Sequence, residues 1–210
     1  EDFTGNLIPA LKAGELDVIV IALPFAEPGL VAQPVYQEPF RVVVPAGHPW
    51  VERSAIHPDE LDGENLLLLG QGNCFRDQVL ESCPRLSGPD ALEHSLEGSS
   101  LETIRYMVAS GAGVAVMPST AADPLIDREP MVKVLPFSGK QASRTVGIVW
   151  RVTFPRPQAI DAVLPRIQQE RQAEIQLAQL AQQAEAAQGD LLRRRPELRA
   201  LLAPLAPLAG

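Results

Sequence analysis

Leu66-Leu67-Leu68-Leu69-Gly70-Gln71-Gly72-Asn73-Cys74-Phe75-Arg76-Asp77-Gln78-Val79-Leu80-Glu81-Ser82-Cys83-Pro84 is the stretch on which the fold turns. The four leucines read as a buried strand, and the glycines after them let the backbone turn away. A helix should start there. Asn73 suits the N-cap, Cys74 is the first helical residue, and Phe75, Val79, Leu80 and Cys83 share one face until Pro84 forbids continuation.

This placement separates the only two cysteines of the chain. At a helix N-terminus the unpaired N–H groups and the dipole favour a thiolate, and Arg76 adds positive charge two residues on, so Cys74 is the candidate nucleophile. Cys83, on the apolar face, is expected to be buried, protonated and inert until the helix moves. Nine residues of helix span roughly 13 Å, whereas a disulfide needs Cα atoms within about 7 Å. If the two do bond, the bond is a switch: thiolate attacks peroxide, the sulfenic acid condenses with the second thiol, and the local fold must change. Chemistry alone leaves a second reading open, two cysteines acting only as small core hydrophobes. A static disulfide would close only a short loop against the helical pattern, and two thiols without clustered histidine or carboxylate do not fill a zinc shell.

Composition sets the frame. With 210 residues, 46% hydrophobic and 21% charged, the chain can bury the core of one domain or two small ones. No run of ~18 apolar residues occurs, so no membrane span is expected. Glu1-Asp2-Phe3-Thr4 lacks the order of a signal peptide, which makes the cytoplasm the expected compartment, where a cysteine pair is more often redox-active than structural. A net charge of −8 and no basic patch beside an aromatic platform argue against this chain gripping DNA by itself. Arg193-Arg194-Arg195, beside Glu197, reads as a solvated helix end. His48, His57 and His94 are scattered, the first two beside turn prolines as solvated loop residues, and none has a Ser or Cys in triad spacing. Gly-x-Ser-x-Gly, Walker and HExxH motifs do not occur.

Along the chain, Thr4 to Ala13 reads as a short helix ending at Gly14, and Leu16 to Leu23 as a strand covered on both faces. Helix followed by buried strand is the grammar of α/β folds with parallel sheets. Pro34 to Pro39 reads as a proline-punctuated crossing before a strand over Phe40 to Val44. After the cysteine stretch, Ser99-Ser100-Leu101-Glu102 reads as a capping box with Ser99 as the cap. Its helix runs through Ile104, Met107 and Val108 to a C-cap at Gly111-Ala112-Gly113. That glycine cluster lies between helix and strand, the reverse of a pyrophosphate loop. Val114 to Met117, Met131 to Leu135 and Thr145 to Trp150 complete the strands. From about Pro165 the composition shifts to Gln, Ala, Leu and Glu, with Ile167, Ile175, Leu177 and Leu180 as a broken stripe and Ala203 to Pro207 as a flexible end.

Gly72-Asn73-Cys74-Phe75-Arg76-Asp77-Gln78, a second cysteine nine residues beyond the first, and Gly98-Ser99-Ser100-Leu101-Glu102-Thr103-Ile104 resemble the regulatory domain of OxyR-type, peroxide-sensing LysR transcriptional regulators. The resemblance runs over about residues 1–160. It implies a two-lobed, periplasmic-binding-protein-like α/β fold. Lobe I would be 1–37 with 146–170, its first strand-helix-strand missing, and lobe II would be 38–145 with the redox cysteines. Residues 171–210 form an Ala/Gln/Leu-rich tail without a family counterpart, helical or disordered. The two lobes would be joined by crossings near Tyr36 to Glu38 and Thr145 to Gly147.

By the same resemblance Cys74 is the peroxidatic and Cys83 the resolving cysteine, facing a cleft between the lobes. Thr4, Asn73, Arg76 and Arg144 would form the peroxide pocket and activate the thiolate. The family carries histidine immediately before the reactive cysteine, where this chain has Asn73. Implied partners are hydrogen peroxide, further copies in a homodimer or tetramer, DNA only through a winged helix-turn-helix absent from this chain, and RNA polymerase. Cofactor, metal, membrane and enzymatic turnover are not implied. Two alternatives are a LysR-type effector domain that binds a small metabolite, with incidental cysteines, and a thiol peroxidase; Thr4 as a plain helix N-cap and Arg144 as a surface charge are the simpler readings of those residues.

Overall fold

The computed structural model describes residues 2–83, 95–126, 128–139, 142–156, 158–171, 173–174, 176 and 180. The chain divides into two compact units, Glu1–Pro165 and Arg166–Gly210. In the first, α1 (Thr4–Ala13), β1 (Val18–Leu23), β2 (Leu30–Pro45), β3 (Leu66–Leu69), α2 (Cys74–Ser82), β4 (Leu96–Gly98), α3 (Leu101–Ala109), β5 (Val114–Pro118), α4 (Ser119–Ala122), β6 (Val132–Pro136) and β7 (Ser143–Arg151) follow in order. Residues 158–171 are helical, with Ile160 and Leu164 buried.

Strands β1-β7-β2-β5-β3-β4 lie side by side, and β6 adds to β2. The sheet is mixed rather than parallel: β3 runs parallel to β4 and β5, while β2 is antiparallel to β5, β6 and β7, and β1 to β7. Leu66 to Leu69 form the expected buried strand, each 6% exposed or less. They sit in a core with Phe40, Val42, Val43, Val116 and Met117, roofed by Phe75 and Val79 of α2 and Ile104 and Val108 of α3. A second core gathers Leu11, Ile19, Ile21 and Val149, so α1 packs on β1 and β7. Arg151 donates to the Leu11 and Leu16 carbonyls and so satisfies the C-terminal end of α1.

Several expectations are corrected. Pro34 to Pro39 lies within one strand, not in a crossing between strands, because β2 continues from Leu30 to Pro45. Over this half β2 pairs, among the described residues, only with β7, and its register shifts between Pro34 and Tyr36. An edge strand with a bulge tolerates residues that cannot donate to a ladder. Strand β1 is not covered on both faces: Val20 is 59% exposed between buried Ile19 and Ile21. The α3 cap is Ser100, not Ser99; the Ser100 hydroxyl accepts from the Thr103 N–H, while Glu102 pairs with Arg105. Phe3 rather than Thr4 occupies the N-cap of α1, with no side-chain bond.

His48 and His57 lie in loops as expected, His57 exposed and His48 half-buried, and both also act as caps, accepting from Trp50 N–H and Asp59 N–H at two single 3₁₀ turns. Gly111 turns out of α3 at φ +84°, as a C-cap should. Pro84, His94, Ile175, Leu177, Arg193 to Arg195 and Ala203 to Pro207 lie outside the described residues.

Candidate functional site at the start of the cysteine helix

Gly72 turns with φ +85° out of the leucine strand, a conformation that favours glycine. Asn73 follows as N-cap, and its Oδ1 accepts the Phe75 N–H at 2.9 Å. Cys74 is thereby the first residue of α2 and is exposed. Phe75 turns inward, edge-on to Phe40 with centroids 5.2 Å apart, and Val79 is buried beneath it. At the far end Cys83 is the C-cap and 1% exposed, its N–H donating to the Val79 carbonyl.

The two sulfurs therefore live in different media. Burial, with the Asp59 carboxylate adding to it, pushes the Cys83 thiol up to about 11. A thiol held in that way is a poor nucleophile near neutral pH. Both cysteines are free, and the intact nine-residue helix holds their Cα atoms roughly 13 Å apart.

Cys74 opens into a cleft of about 910 Å³. Thr4, Asn73, Cys74 and Arg144 all line it, together with Tyr36, Ser99 and Ser100, and Val18 and Val20 of β1 form an apolar side. Arg76 and Cys83 do not line it. The Arg76 guanidinium, only 8% exposed, donates through Nη1 to the Leu69 carbonyl at 2.9 Å and to Glu97 at 2.7 Å. Its charge is thus paired with a carboxylate, and the residue ties α2 to the strands on which the helix rests.

Arg144 is positioned by neighbours that sequence reading passed over. Its Nε donates to Glu38 Oε2 at 2.6 Å, and its Cζ lies 5.3 Å from the Phe75 ring centre. Glu38 and Arg144 are direct cross-strand partners, and Gly147, three residues further on, meets Pro34 across the same ladder. A Cβ at Gly147 would fall 2.6 Å from Leu23 Cδ1 and 2.8 Å from the Gln33 carbonyl, so only glycine lets these strands approach. The missed signals were a lone glutamate in a strand run and the Glu97 that balances Arg76. Chemically, the arrangement offers one accessible sulfur at a helix start, beside hydroxyls and a guanidinium, to a small polar molecule. Among the described residues, no group of three His, Cys, Asp or Glu side chains is placed to hold a metal, and no helix is long and apolar enough to cross a membrane.

Comparison with known proteins adds to this geometry. The LysR substrate binding domain model matches residues 1–172. The DNA-binding transcriptional dual regulator OxyR of Escherichia coli K12 is 35% identical over 152 residues, 72% of this chain and 49% of its own length. A probable hydrogen peroxide-inducible genes activator of Mycobacterium leprae is also 35% identical, over 72% of this chain and 48% of that one. The chain spans about half the length of the curated relatives it matches. Among solved structures, the reduced OxyR regulatory domain of Pseudomonas aeruginosa is 48% identical with a TM-score of 0.71, covering 80% of each chain. A peroxide-bound cysteine-to-serine mutant of Corynebacterium glutamicum OxyR is 30% identical with a TM-score of 0.76, covering 86% of this chain and 57% of that one. The chain therefore belongs to the LysR substrate-binding domain family, to which it is matched over residues 1–172, and the relatives named here are OxyR and hydrogen peroxide-inducible genes activators.

Proposed function

We propose that the chain is the hydrogen-peroxide-sensing regulatory domain of a LysR-type transcriptional regulator, switched by a Cys74–Cys83 disulfide. The observation that carries this reading is the contrast along α2: an exposed sulfur at a helix start in a cleft, and a buried, protonated one at the other end. The Cys74 thiolate attacks one peroxide oxygen; an S–O bond forms, the O–O bond breaks, and hydroxide leaves to be protonated to water. The sulfur becomes a sulfenic acid. Cys83 then attacks that sulfur, an S–S bond forms, the S–O bond breaks, and a second water leaves. Both thiols are oxidised and one peroxide is reduced.

Because α2 holds the pair beyond bonding reach, the second step requires the helix to come apart, and this local refolding is the signal. In this reading Thr4 and Asn73 position peroxide, and Arg144 and the helix start stabilise the thiolate. Arg76 acts indirectly, by anchoring α2. Residues 1–37 with 146–170 form lobe I and 38–145 lobe II, in keeping with the two separate cores. DNA is contacted through a winged helix-turn-helix outside these residues, and the changed domain alters how copies pair in a dimer or tetramer and how RNA polymerase is engaged.

Peroxide treatment of the reduced protein followed by mass-spectrometric mapping tests the proposal. The expected product is a Cys74–Cys83 link after one burst of about one peroxide per chain. An unreactive Cys74 and no such link would overturn it, and repeated turnover with a reductant would make the chain a thiol peroxidase instead. One observation favours a second reading: about 910 Å³ is space for an organic metabolite rather than for peroxide alone. On that reading some organic ligand raises the melting temperature, and Cys74→Ser leaves the ligand response unchanged.

A further inference from the structure

Glu38 is among the most buried charged groups of the described residues, at 1% exposure, and sits in the strand ladder where β2 meets β7. Burying a carboxylate is costly unless its oxygens are matched by donors. Here both are. Oε1 accepts from the Thr120 hydroxyl and, at 3.3 Å, from the Thr120 N–H; Oε2 accepts from Arg144 Nε at 2.6 Å. One side chain therefore holds α4 and, across the ladder, the only arginine among the described residues that lines the cleft with Cys74.

An arginine side chain has many rotamers, and its charge acts on a neighbouring sulfur only where it is held. Two contacts restrain Arg144: the charged hydrogen bond through Nε fixes the plane of the guanidinium, and the face of Phe75, the residue after Cys74, lies 5.3 Å from Cζ. The other cleft-lining polar side chains among the described residues, Asp2, Thr4, Tyr36, Asn73, Ser99, Ser100 and Glu102, carry no positive charge that could replace it, and the Asp2 and Glu102 carboxylates oppose a thiolate rather than favour it.

We infer that Glu38 is a positioning residue of the sensing site, a buried carboxylate that aims Arg144 at the cleft in which Cys74 reacts. The inference rests on the proposed role of Cys74 and Arg144, and the sign of the effect separates it from simpler roles. Glu38 is itself negative. If it were only a nearby charge, removing that charge would make the thiolate easier to form. If it were only structural, thermal stability would change and the thiolate would not. Only if Glu38 aims Arg144 does its neutralisation make the thiolate harder to form.

The test is the pH–rate profile for alkylation of Cys74 by iodoacetamide in the reduced protein, with Cys83 replaced by serine in every variant. Glu38→Gln is expected to move the profile toward alkaline pH by about one pH unit, the scale set by losing one close opposite charge. Arg144→Gln should do the same, and the double variant should be no worse than Arg144→Gln alone, since both remove one device. An unmoved or acid-shifted profile in Glu38→Gln, or effects that add in the double variant, would overturn the inference. Should Glu38→Gln fail to fold, Arg144→Lys keeps the cation and the carboxylate but deletes Nε–H; an alkaline shift is expected, and an unchanged profile overturns the inference. Alkylation uses no peroxide, so a failure of peroxide to oxidise Cys74 would defeat the sensing proposal separately, without mimicking any of these outcomes.

Discussion

The two ends of α2 carry the same functional group in opposite settings. At the N-terminal end Cys74 is exposed, follows an asparagine cap and opens into a cleft with hydroxyls and a guanidinium. At the C-terminal end Cys83 is sealed into the core cluster with Val79 and the leucine strand, and is held protonated by burial. The difference teaches that position on one short helix decides whether a thiol meets solvent or the core. The same helix that differentiates the thiols also keeps them apart, so any bond between them must be accompanied by loss of the structure that distinguished them.

The sharpest way to break this comparison is to exchange the thiols one at a time. Cys74→Ser is expected to abolish peroxide consumption altogether, whereas Cys83→Ser should still consume one equivalent and accumulate a sulfenic acid at Cys74, trapped by dimedone and read by mass spectrometry. Equal loss in both variants would mean that the two ends do not differ in the way described.

A large stability effect is expected at the ring beneath Cys74. Phe75→Ala removes a buried side chain that packs on Phe40 and lies under Arg144, and should lower the unfolding free energy by about 3 kcal/mol in chemical denaturation. A loss under about 1 kcal/mol would indicate that α2 is not seated on the core.

Alkaline pH tests the buried end. Folding raises the Cys83 thiol from 9.0 to about 11, so the neutral form is the one the fold favours. The stabilisation is complete below about pH 9 and declines toward pH 11, because the unfolded chain gives up this proton first. Wild type should therefore lose on the order of 2 kcal/mol more than Cys83→Ala across that window. Parallel pH–stability curves for the two proteins would show that the thiol is not sealed. The smallest effect concerns the cap: Asn73→Ala deletes the acceptor for Phe75 N–H and should cost about 1 kcal/mol, seen as a lower melting temperature.

Sequence reading recovered the local pieces well. The start of α2 at Cys74, its Asn73 cap, the buried leucine strand, and strands close to those expected at 114–117, 131–135 and 145–150 all follow from apolar spacing and capping chemistry, which act over a few residues. It misjudged β2, because whether a proline interrupts a strand depends on which edge is unpaired, and that edge is defined by β7, more than a hundred residues away. It misjudged β1 and the sheet direction for the same reason: exposure and parallelism belong to neighbours. It placed Arg76 as a charge beside the thiol, since proximity in sequence was the only measure at hand; in space that charge meets Glu97 and the Leu69 carbonyl.

What the sequence by itself determined is the order of chemistry along the chain: one cysteine at a helix start, another nine residues on at its end, and motifs that identify the relatives. A helix start is dictated by the dihedral preferences and side-chain caps of adjacent residues, so it is written locally. What only the tertiary structure decided is the company those residues keep. The cleft that collects Thr4, Cys74 and Arg144, the Glu38 carboxylate that orients the arginine, and the core that silences Cys83 all arise from cross-strand pairing and burial between distant segments. Such contacts depend on which surfaces lose water together, and that is a property of the folded whole.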